Sequence, residues 1–157
     1  MCQSRDVIPD AADFEPLDAD ASLRWSKFGK WERPYFPNLV GLLVEEIRVG
    51  YCRMRLPFRP EIEQPMGIVH GGAIATLLDA VVVPAIGSAY PASTGYSTVD
   101  LGIQYHSALR AEDAIAHGWV ARRGRRIVFC EAEAIGATSG KTIAKAILTY
   151  SVSESSS

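Results

Sequence analysis

The chain has 157 residues, of which 48% are hydrophobic and 22% are charged, and its formal net charge at pH 7 is −2. This length and composition suit a single soluble globular domain with a substantial core. The small negative charge disfavours nucleic-acid binding, and the apolar stretch at 73–87 is too short to span a membrane, so neither partner is expected.

The first third of the chain predicts a loose N-terminus, a short helix and two strands. Residues 1–20 are acidic and rich in Asp and Pro, and we expect them to be disordered. Aromatic and apolar residues recur at helix-like intervals over residues 21–31, which predicts a short helix packed on the domain. Two strands are predicted over residues 38–50 and 51–58, joined at Gly50.

The longest predicted helix covers residues 71–89. It contains no Lys, Arg or Glu and is apolar nearly all round, which is typical of a buried helix. Asp79 is its only carboxylate, and an acid in an apolar helix is costly to keep charged, which indicates a function or a firm set of hydrogen bonds. His70, Gly71 and Gly72 open the helix, whose first backbone N–H groups suit an anion.

After this helix the sequence pattern changes to the two-residue period of strands. Over residues 98–106 the alternation predicts two faces, one with Val99, Leu101, Ile103 and Tyr105, the other with Thr98, Asp100, Gln104 and His106. Further strands are predicted at 114–122, 127–137 and 142–152, and residues 153–157 are expected to form a disordered tail. Strands joined by such short turns pair antiparallel, so an α+β domain over residues 21–152 should wrap one sheet around the buried helix.

The three cysteines, Cys2, Cys52 and Cys130, cannot form an even disulfide framework. Cys52 and Cys130 lie in apolar, strand-like stretches and are predicted to be buried free thiols. The chain shows no basic segment followed by a long apolar run at its start, so no secretory signal is expected. Both observations favour a reducing, cytoplasmic location.

The order of elements and one motif resemble the hotdog-fold acyl-CoA thioesterases of the phenylacetate and 4-hydroxybenzoyl-CoA types. The motif residues are Gln64, Gly67, His70, Gly71, Gly72 and Asp79, and the resemblance extends over roughly residues 40–152. It implies an antiparallel sheet of about six strands around one long central helix, to which the predicted N-terminal helix is added. Gln64 stands where most phenylacetate-type members carry Asn, so the resemblance leaves the acyl group open.

The resemblance also implies a reaction, the hydrolysis of an acyl- or aryl-CoA thioester to the free acid and CoA. The Gly71 N–H would receive the charge on the carbonyl oxygen, and Asp79 would act as general base on water or as nucleophile. Thr98 would position the water, and Gln64 would donate a side-chain N–H to the carbonyl or the water. His70 would fix the loop or bridge to the site.

The spacing of the motif predicts an oligomer. Asp79 lies eight residues beyond Gly71, roughly 12 Å along a helix, whereas both groups must lie within about 3 Å of one reacting carbonyl group. One straight helix cannot meet both conditions, so the second group must come from another subunit. We therefore expect a homodimer, or a homotetramer built as a dimer of dimers, with two equal sites per dimer.

Phosphate recognition is the interpretation we give to a cluster of basic residues. Candidate contacts for the phosphates of coenzyme A lie in the run Arg122, Arg123, Gly124, Arg125 and Arg126, although such a run is usually only a solvated turn. Gly72 is a further candidate contact for the substrate or its CoA part.

No zinc-ligand set and no Ser-His-Asp set is recognised, so we expect no metal and no cofactor, CoA being part of the substrate. The alternatives are a hotdog enoyl- or hydroxyacyl-thioester hydratase-dehydratase, and a non-catalytic acyl-CoA-binding module.

Overall fold

A six-stranded antiparallel sheet and one long helix make up most of the fold in the computed structural model, which describes residues 7–154. The strands are β1 (Leu43–Arg48), β2 (Tyr51–Leu56), β5 (Thr94–Tyr105), β6 (Ala114–Arg123), β7 (Ile127–Gly136) and β8 (Thr142–Glu154), in the spatial order β1-β2-β6-β7-β8-β5. The helices are α1 (Ala19–Trp25), α2 (Phe36–Val40) and α3 (Gly71–Ala89), and the hairpin β3 (Glu63–Gln64) and β4 (Ile68–Val69) precedes α3. The predicted α+β hotdog architecture is confirmed. Expectations for residues 1–6 and 155–157 lie outside the described residues.

Helix α3 has the predicted bounds and is the core of the domain. By length and composition alone it is apolar enough to cross a membrane. In this fold it lies against the sheet, and its buried residues include Ile74, Leu77, Leu78, Val81 and Val82. The continuous apolar surface that predicted a buried helix is therefore explained by a sheet that curves around it.

Small residues on the inner face of the sheet allow α3 to approach closely. Ala116 and Gly118 on β6 face the helix, as do Ala132 and Ala134 on β7. A Cβ atom added to Gly118 would lie 2.7 Å from the Cγ1 atom of Val81 and 3.2 Å from its backbone carbon. Helix and sheet are in contact at this point, and no larger residue fits there without movement.

The sequence-based assignment of faces on β5 is wrong at Thr98. A β-bulge between Thr98 and Asp100 adds one residue to β5 relative to its partner β8. As a result Val99 is 61% exposed, while Leu101 and Ile103 pack against the core. Thr98 pairs with the buried Tyr150 and faces α3, on the same side as Leu101.

The segment before β1 also differs from its prediction. The helix expected over 21–31 is the shorter α1. After it, Phe28, Trp31 and Tyr35 make successive edge-to-face ring contacts, with centroids 5.1 and 5.3 Å apart. The strand expected from residue 38 begins at Leu43, because Phe36–Val40 form α2, with Pro37 in its first turn and Gly41 as a left-handed cap. Nearer the N-terminus, Phe14 stacks on Tyr51 at 5.0 Å.

Cys52 and Cys130 are buried free thiols, as predicted. Burial raises the pKa of Cys130 to about 12 and that of Cys52 far above its usual range. Since the thiolate is the reactive form, we expect a colorimetric thiol reagent to detect at most one thiol in the folded protein and three after denaturation. Cys2 lies outside the described residues. Rapid modification of two thiols under native conditions would contradict this burial.

Candidate active site

Asp79 is held by two hydroxyl groups on neighbouring strands. Its Oδ1 atom accepts hydrogen bonds from Thr98 Oγ1 at 3.0 Å and from the Tyr150 hydroxyl at 2.6 Å. The Tyr150 hydroxyl also lies 3.1 Å from the backbone oxygen of Asp79. Within residues 7–154, the Oδ2 atom of Asp79 has no hydrogen-bond partner. The carboxylate is half-buried and oriented, and one oxygen stays free for a substrate or a water.

Tyr150 is a site residue that the sequence analysis missed. It is 2% exposed, and burial, together with its hydrogen bond to Asp79, raises the pKa of its hydroxyl far above the usual range. The hydroxyl therefore stays protonated and donates to a carboxylate, which makes a strong, charge-assisted hydrogen bond. In the sequence, Tyr150 continues the alternation of apolar residues on β8, which predicts a core residue. Its position beside Thr98 and Asp79 becomes clear only from the pairing of β8 with β5 in the structure.

The start of α3 leaves one backbone donor free. His70 is the N-cap residue, and its Nδ1 atom accepts a hydrogen bond from the Gly72 N–H at 2.8 Å. The N–H groups of Ala73 and Ile74 both bond to the His70 carbonyl. In the part of the chain that the structure describes, the Gly71 N–H has no acceptor. Of the two candidate glycines, Gly71 alone offers an N–H to a ligand, and His70 acts as a cap.

Tyr105 covers this helix start from the end of β5. Its hydroxyl donates to the Gly71 carbonyl oxygen at 2.6 Å, and a Cβ atom on Gly71 would lie 3.3 Å from its Cζ atom. A cavity of about 350 Å³ opens beside Gly71 and is lined by Ile74 and Tyr105 among others. There is room for a substrate group next to the free N–H.

Gln64 belongs to the turn that leads into the helix. Its Oε1 atom accepts a hydrogen bond from the Met66 N–H at 2.9 Å, and Gly67, with a φ of +70°, closes the turn. Among the described residues the Nε2 group of Gln64 has no acceptor. The side chain is thus fixed through its oxygen while its amide donor is unused.

The structure does not bring Asp79 and Gly71 together within one protomer. Thr98 contacts Asp79, and Tyr105 contacts Gly71, so the strand β5 passes both groups at different points along α3. β5 is also an edge strand of the sheet. Both halves of the candidate site therefore lie along the same open edge.

The arginine run lies near the opposite end of α3 from Gly71, which is roughly 27 Å away along the helix axis. Arg122, Arg125 and Arg126 are exposed, and the guanidinium of Arg123 lies 4.4 Å from the ring centroid of Tyr90. A cavity of about 470 Å³ at this turn includes Arg123, Gly124 and Arg125 in its lining. Over the described part of the chain no cluster of three or more His, Cys, Asp or Glu side chains is placed to hold a metal ion.

Comparisons with known proteins agree with this fold. A sequence model of the thioesterase superfamily matches residues 66–143, which include α3 and all of β5, β6 and β7. A Halobacterium salinarum protein with a provisional esterase name is 32% identical over 99 residues, 60% of this chain and 65% of that protein. Mouse acyl-coenzyme A thioesterase 13 is 30% identical over 95 residues, 60% of this chain and 66% of that protein. The matches thus span slightly less than two thirds of both curated relatives.

Among solved structures, zebrafish thioesterase superfamily member 2 aligns with a TM-score of 0.75 at 24% identity, covering 85% of this chain and 98% of that one. At this level of identity the comparison shows only that the folds are alike, and the similarity of fold covers much more of the chain than residues 66–143. The sequence match places residues 66–143 in the thioesterase superfamily, and the architecture of the described chain is the hotdog fold.

Proposed function

We propose that the protein is an acyl-CoA thioesterase, which hydrolyses an acyl- or aryl-CoA thioester to the free acid and CoA. The observation that carries this proposal is the Asp79 carboxylate, oriented by Thr98 and Tyr150 with one oxygen free, on the same helix whose first N–H is also free. The name of the mouse relative, acyl-coenzyme A thioesterase 13, supports the substrate class.

Gly71 would stabilise the transition state. When a nucleophile adds to the thioester carbonyl, negative charge develops on its oxygen, and the Gly71 N–H lies at the positive end of the α3 dipole. A donor in this position typically contributes about 3–4 kcal/mol to lowering the barrier. The Nε2 group of Gln64 is available as a second donor to the carbonyl or to the water.

Asp79 would supply the base or the nucleophile. As a base, its Oδ2 atom takes a proton from a water that the Thr98 hydroxyl also holds, while the water oxygen bonds to the carbonyl carbon. As a nucleophile, Oδ2 bonds to that carbon and forms an anhydride, which water then hydrolyses. On both routes the C–S bond breaks and CoA leaves as thiolate. Single-turnover hydrolysis in heavy-oxygen water separates the routes, because only the anhydride route labels the protein.

The complete site would form across a two-fold axis at β5. Thr98 and Tyr105 both face α3. Antiparallel pairing of two β5 edges about Gly102, with the β-bulge at Val99 adding one residue, would put Thr98 opposite the partner's Tyr105. The Asp79 of one protomer would then approach the partner's Gly71, giving two equal sites. We accordingly propose a homodimer, with the homotetramer as a further assembly of such dimers.

Coenzyme A recognition is assigned to the arginine turn. Arg123, Gly124 and Arg125 line a cavity at the protein surface, Arg122 and Arg126 are exposed beside them in the chain, and guanidinium groups match the geometry of phosphates. The proposed reaction uses the residues named and water, with no metal or further cofactor. The free thiols Cys52 and Cys130 favour a cytoplasmic location for it.

A thiol-release screen over short-chain, long-chain and aromatic acyl-CoAs tests the proposal. We expect release of CoA from at least one class, with the Asp79→Asn protein as the inactive reference. Tight binding of acyl-CoA without thiol release would instead indicate a binding module. A change in enoyl absorbance without thiol release would indicate a hydratase or dehydratase.

Removing the Tyr150 hydroxyl should lower the catalytic efficiency without abolishing thiol release. In Tyr150→Phe, Asp79 keeps only the hydrogen bond from Thr98, so we expect kcat/KM to fall about tenfold, with an unfolding free energy lower by about 1–2 kcal/mol. Tyr51→Phe is the matched control, since Tyr51 is equally buried and its hydroxyl bonds to His117 instead. If both variants lose the same activity, the effect of Tyr150→Phe comes from lower protein stability and not from the hydrogen bond to Asp79.

A further inference from the structure

A cavity of about 270 Å³ lies between α3, the start of β5 and the N-terminal segment of residues 19–31. Most of its lining residues are apolar or aromatic, among them Trp25, Phe28, Trp31, Val83 and Tyr96, and Arg24 and Lys27 also line it. For comparison, an apolar protein cavity of about 150 Å³ accommodates a benzene molecule. This cavity thus has room for an aromatic ring or for several carbons of an aliphatic chain.

The cavity begins one helical turn beyond Asp79. Val83 follows Asp79 by four residues and therefore lies on the same face of α3, one turn further along. Tyr96 precedes Thr98 by two residues and lies on the same face of β5. An acyl group whose carbonyl is beside Asp79 can extend along this face into the cavity.

Trp25 closes the far end of the cavity. A Cβ atom on Gly87 would lie 2.2 Å from the Cζ2 atom of Trp25 and 2.7 Å from the Tyr96 hydroxyl, so the indole ring rests directly on the helix backbone. Next to it, Arg24 donates from Nη2 to the Gly87 carbonyl oxygen at 3.3 Å, where a cation also complements the helix C-terminus. No side chain other than hydrogen at position 87 permits this contact.

The segment that carries Trp25 is held in place at its other end as well. The Asn38 side chain donates from Nδ2 to the Gly29 carbonyl oxygen at 2.7 Å, and the rings of Phe28 and Trp31 are in contact. Residues 19–31 lie outside the part of the chain that the superfamily model matches, residues 66–143. The end wall is therefore built by a segment that precedes β1 in the chain.

We propose that this cavity binds the distal end of the acyl group and that Trp25, resting on Gly87, sets the greatest acyl length; this inference rests on the proposed thioesterase function. Gly87 lies eight residues beyond Asp79, roughly 12 Å along α3. An extended alkyl chain advances a little over 1 Å per carbon, because C–C bonds of about 1.5 Å meet at an angle near 110°. The limit is then roughly eight to ten carbons, or one aromatic ring on a short linker.

Binding of non-hydrolysable S-alkyl-CoA thioethers, from butyl to hexadecyl, tests this limit by calorimetry without any need for turnover. For the unaltered protein we expect affinity to rise by up to about fourfold per methylene as far as the octyl or decyl compound and to fall beyond it. Trp25→Ala should move the limit to longer chains, with dodecyl binding at least about tenfold tighter and butyl binding unchanged. Val83→Phe, which fills the cavity from the helix side, should move it to shorter chains.

Leu23→Ala is the matched control, because Leu23 is also on α1 but is 63% exposed and does not line the cavity. A limit that stays unchanged in both Trp25→Ala and Val83→Phe overturns the inference, and Val83→Phe decides alone if Trp25→Ala does not fold. Thiol release from the matching thioesters distinguishes the two proposals. If the length limit moves in the variants but no thiol is released, the acyl-binding site is supported and the thioesterase function is refuted. If thiol is released but the limit does not move, the thioesterase function is supported and the acyl-binding site is refuted. If no thioether binds, the cavity is not an acyl site.

Discussion

Replacing Asp79 with Asn should lower kcat/KM for thiol release by at least about a hundredfold and leave the protein folded. The Asn side chain has the same shape, and its Oδ1 atom can still accept the hydrogen bonds from Thr98 and Tyr150. Its amide can neither take a proton from water nor attack a carbonyl. Steady-state thiol release gives the activity, and thermal unfolding checks the fold.

The control for this substitution is Asp100→Asn, which removes an exposed carboxylate from the same edge strand. We expect it to retain nearly full activity, because Asp100 lies past the β-bulge and makes no contact with Asp79 among the described hydrogen bonds. Full activity of Asp79→Asn or Asp79→Ala would refute the assignment of the acid.

Gly71→Pro should lower kcat/KM by about a hundredfold to a thousandfold relative to Gly71→Ala. Gly71 is the first residue of α3, a position at which proline is favoured, and the φ and ψ of His70, −61° and 133°, suit a residue that precedes proline. The substitution therefore removes the N–H while keeping the helix start. Gly71→Ala is the matched control, since its Cβ meets Tyr105 in the same way and its N–H remains. Equal activities of the two variants would exclude the N–H as the oxyanion donor.

The same two substitutions test whether the site is shared between subunits. If Asp79→Asn and Gly71→Pro chains are co-expressed in equal amounts, about half of the dimers are hybrids, each with one complete site. We expect the mixture to recover about a quarter of the unaltered activity from two nearly inactive parents. Recovery would be absent if each site were built within a single protomer.

Most of the fold can be predicted from the sequence because its main signals are local. The apolar surface of α3 and the alternation along β6, β7 and β8 give bounds within a residue or two of the observed ones. The bulge in β5 is not predicted, because it depends on how two strands pair. Helix α2 is not predicted, because a helix of only five residues resembles a strand in composition. Both errors arise where tertiary contacts override the local pattern.

The candidate site was predicted less completely, for the same reason. Asp79 stands out since a lone acid in an apolar helix is unusual, and its partner Thr98 was named from the family resemblance. Tyr150 was not found, because 71 residues of chain separate it from the carboxylate that it contacts. The distinct roles of Gly71 and Gly72 depend on one rotamer of His70, which no sequence pattern encodes.

The tight contact between Gly118 and Val81 has a consequence for how proteins of this architecture diversify. Because alanines and glycine line the inner faces of β6 and β7, there is no space between these strands and α3 for an acyl chain, which must instead run along the side of α3 next to β5. Mutations that alter this side, or the segment capping it, leave the densely packed interior untouched. Selection for a different fatty or aromatic acid can therefore proceed at this face at little cost in folding stability.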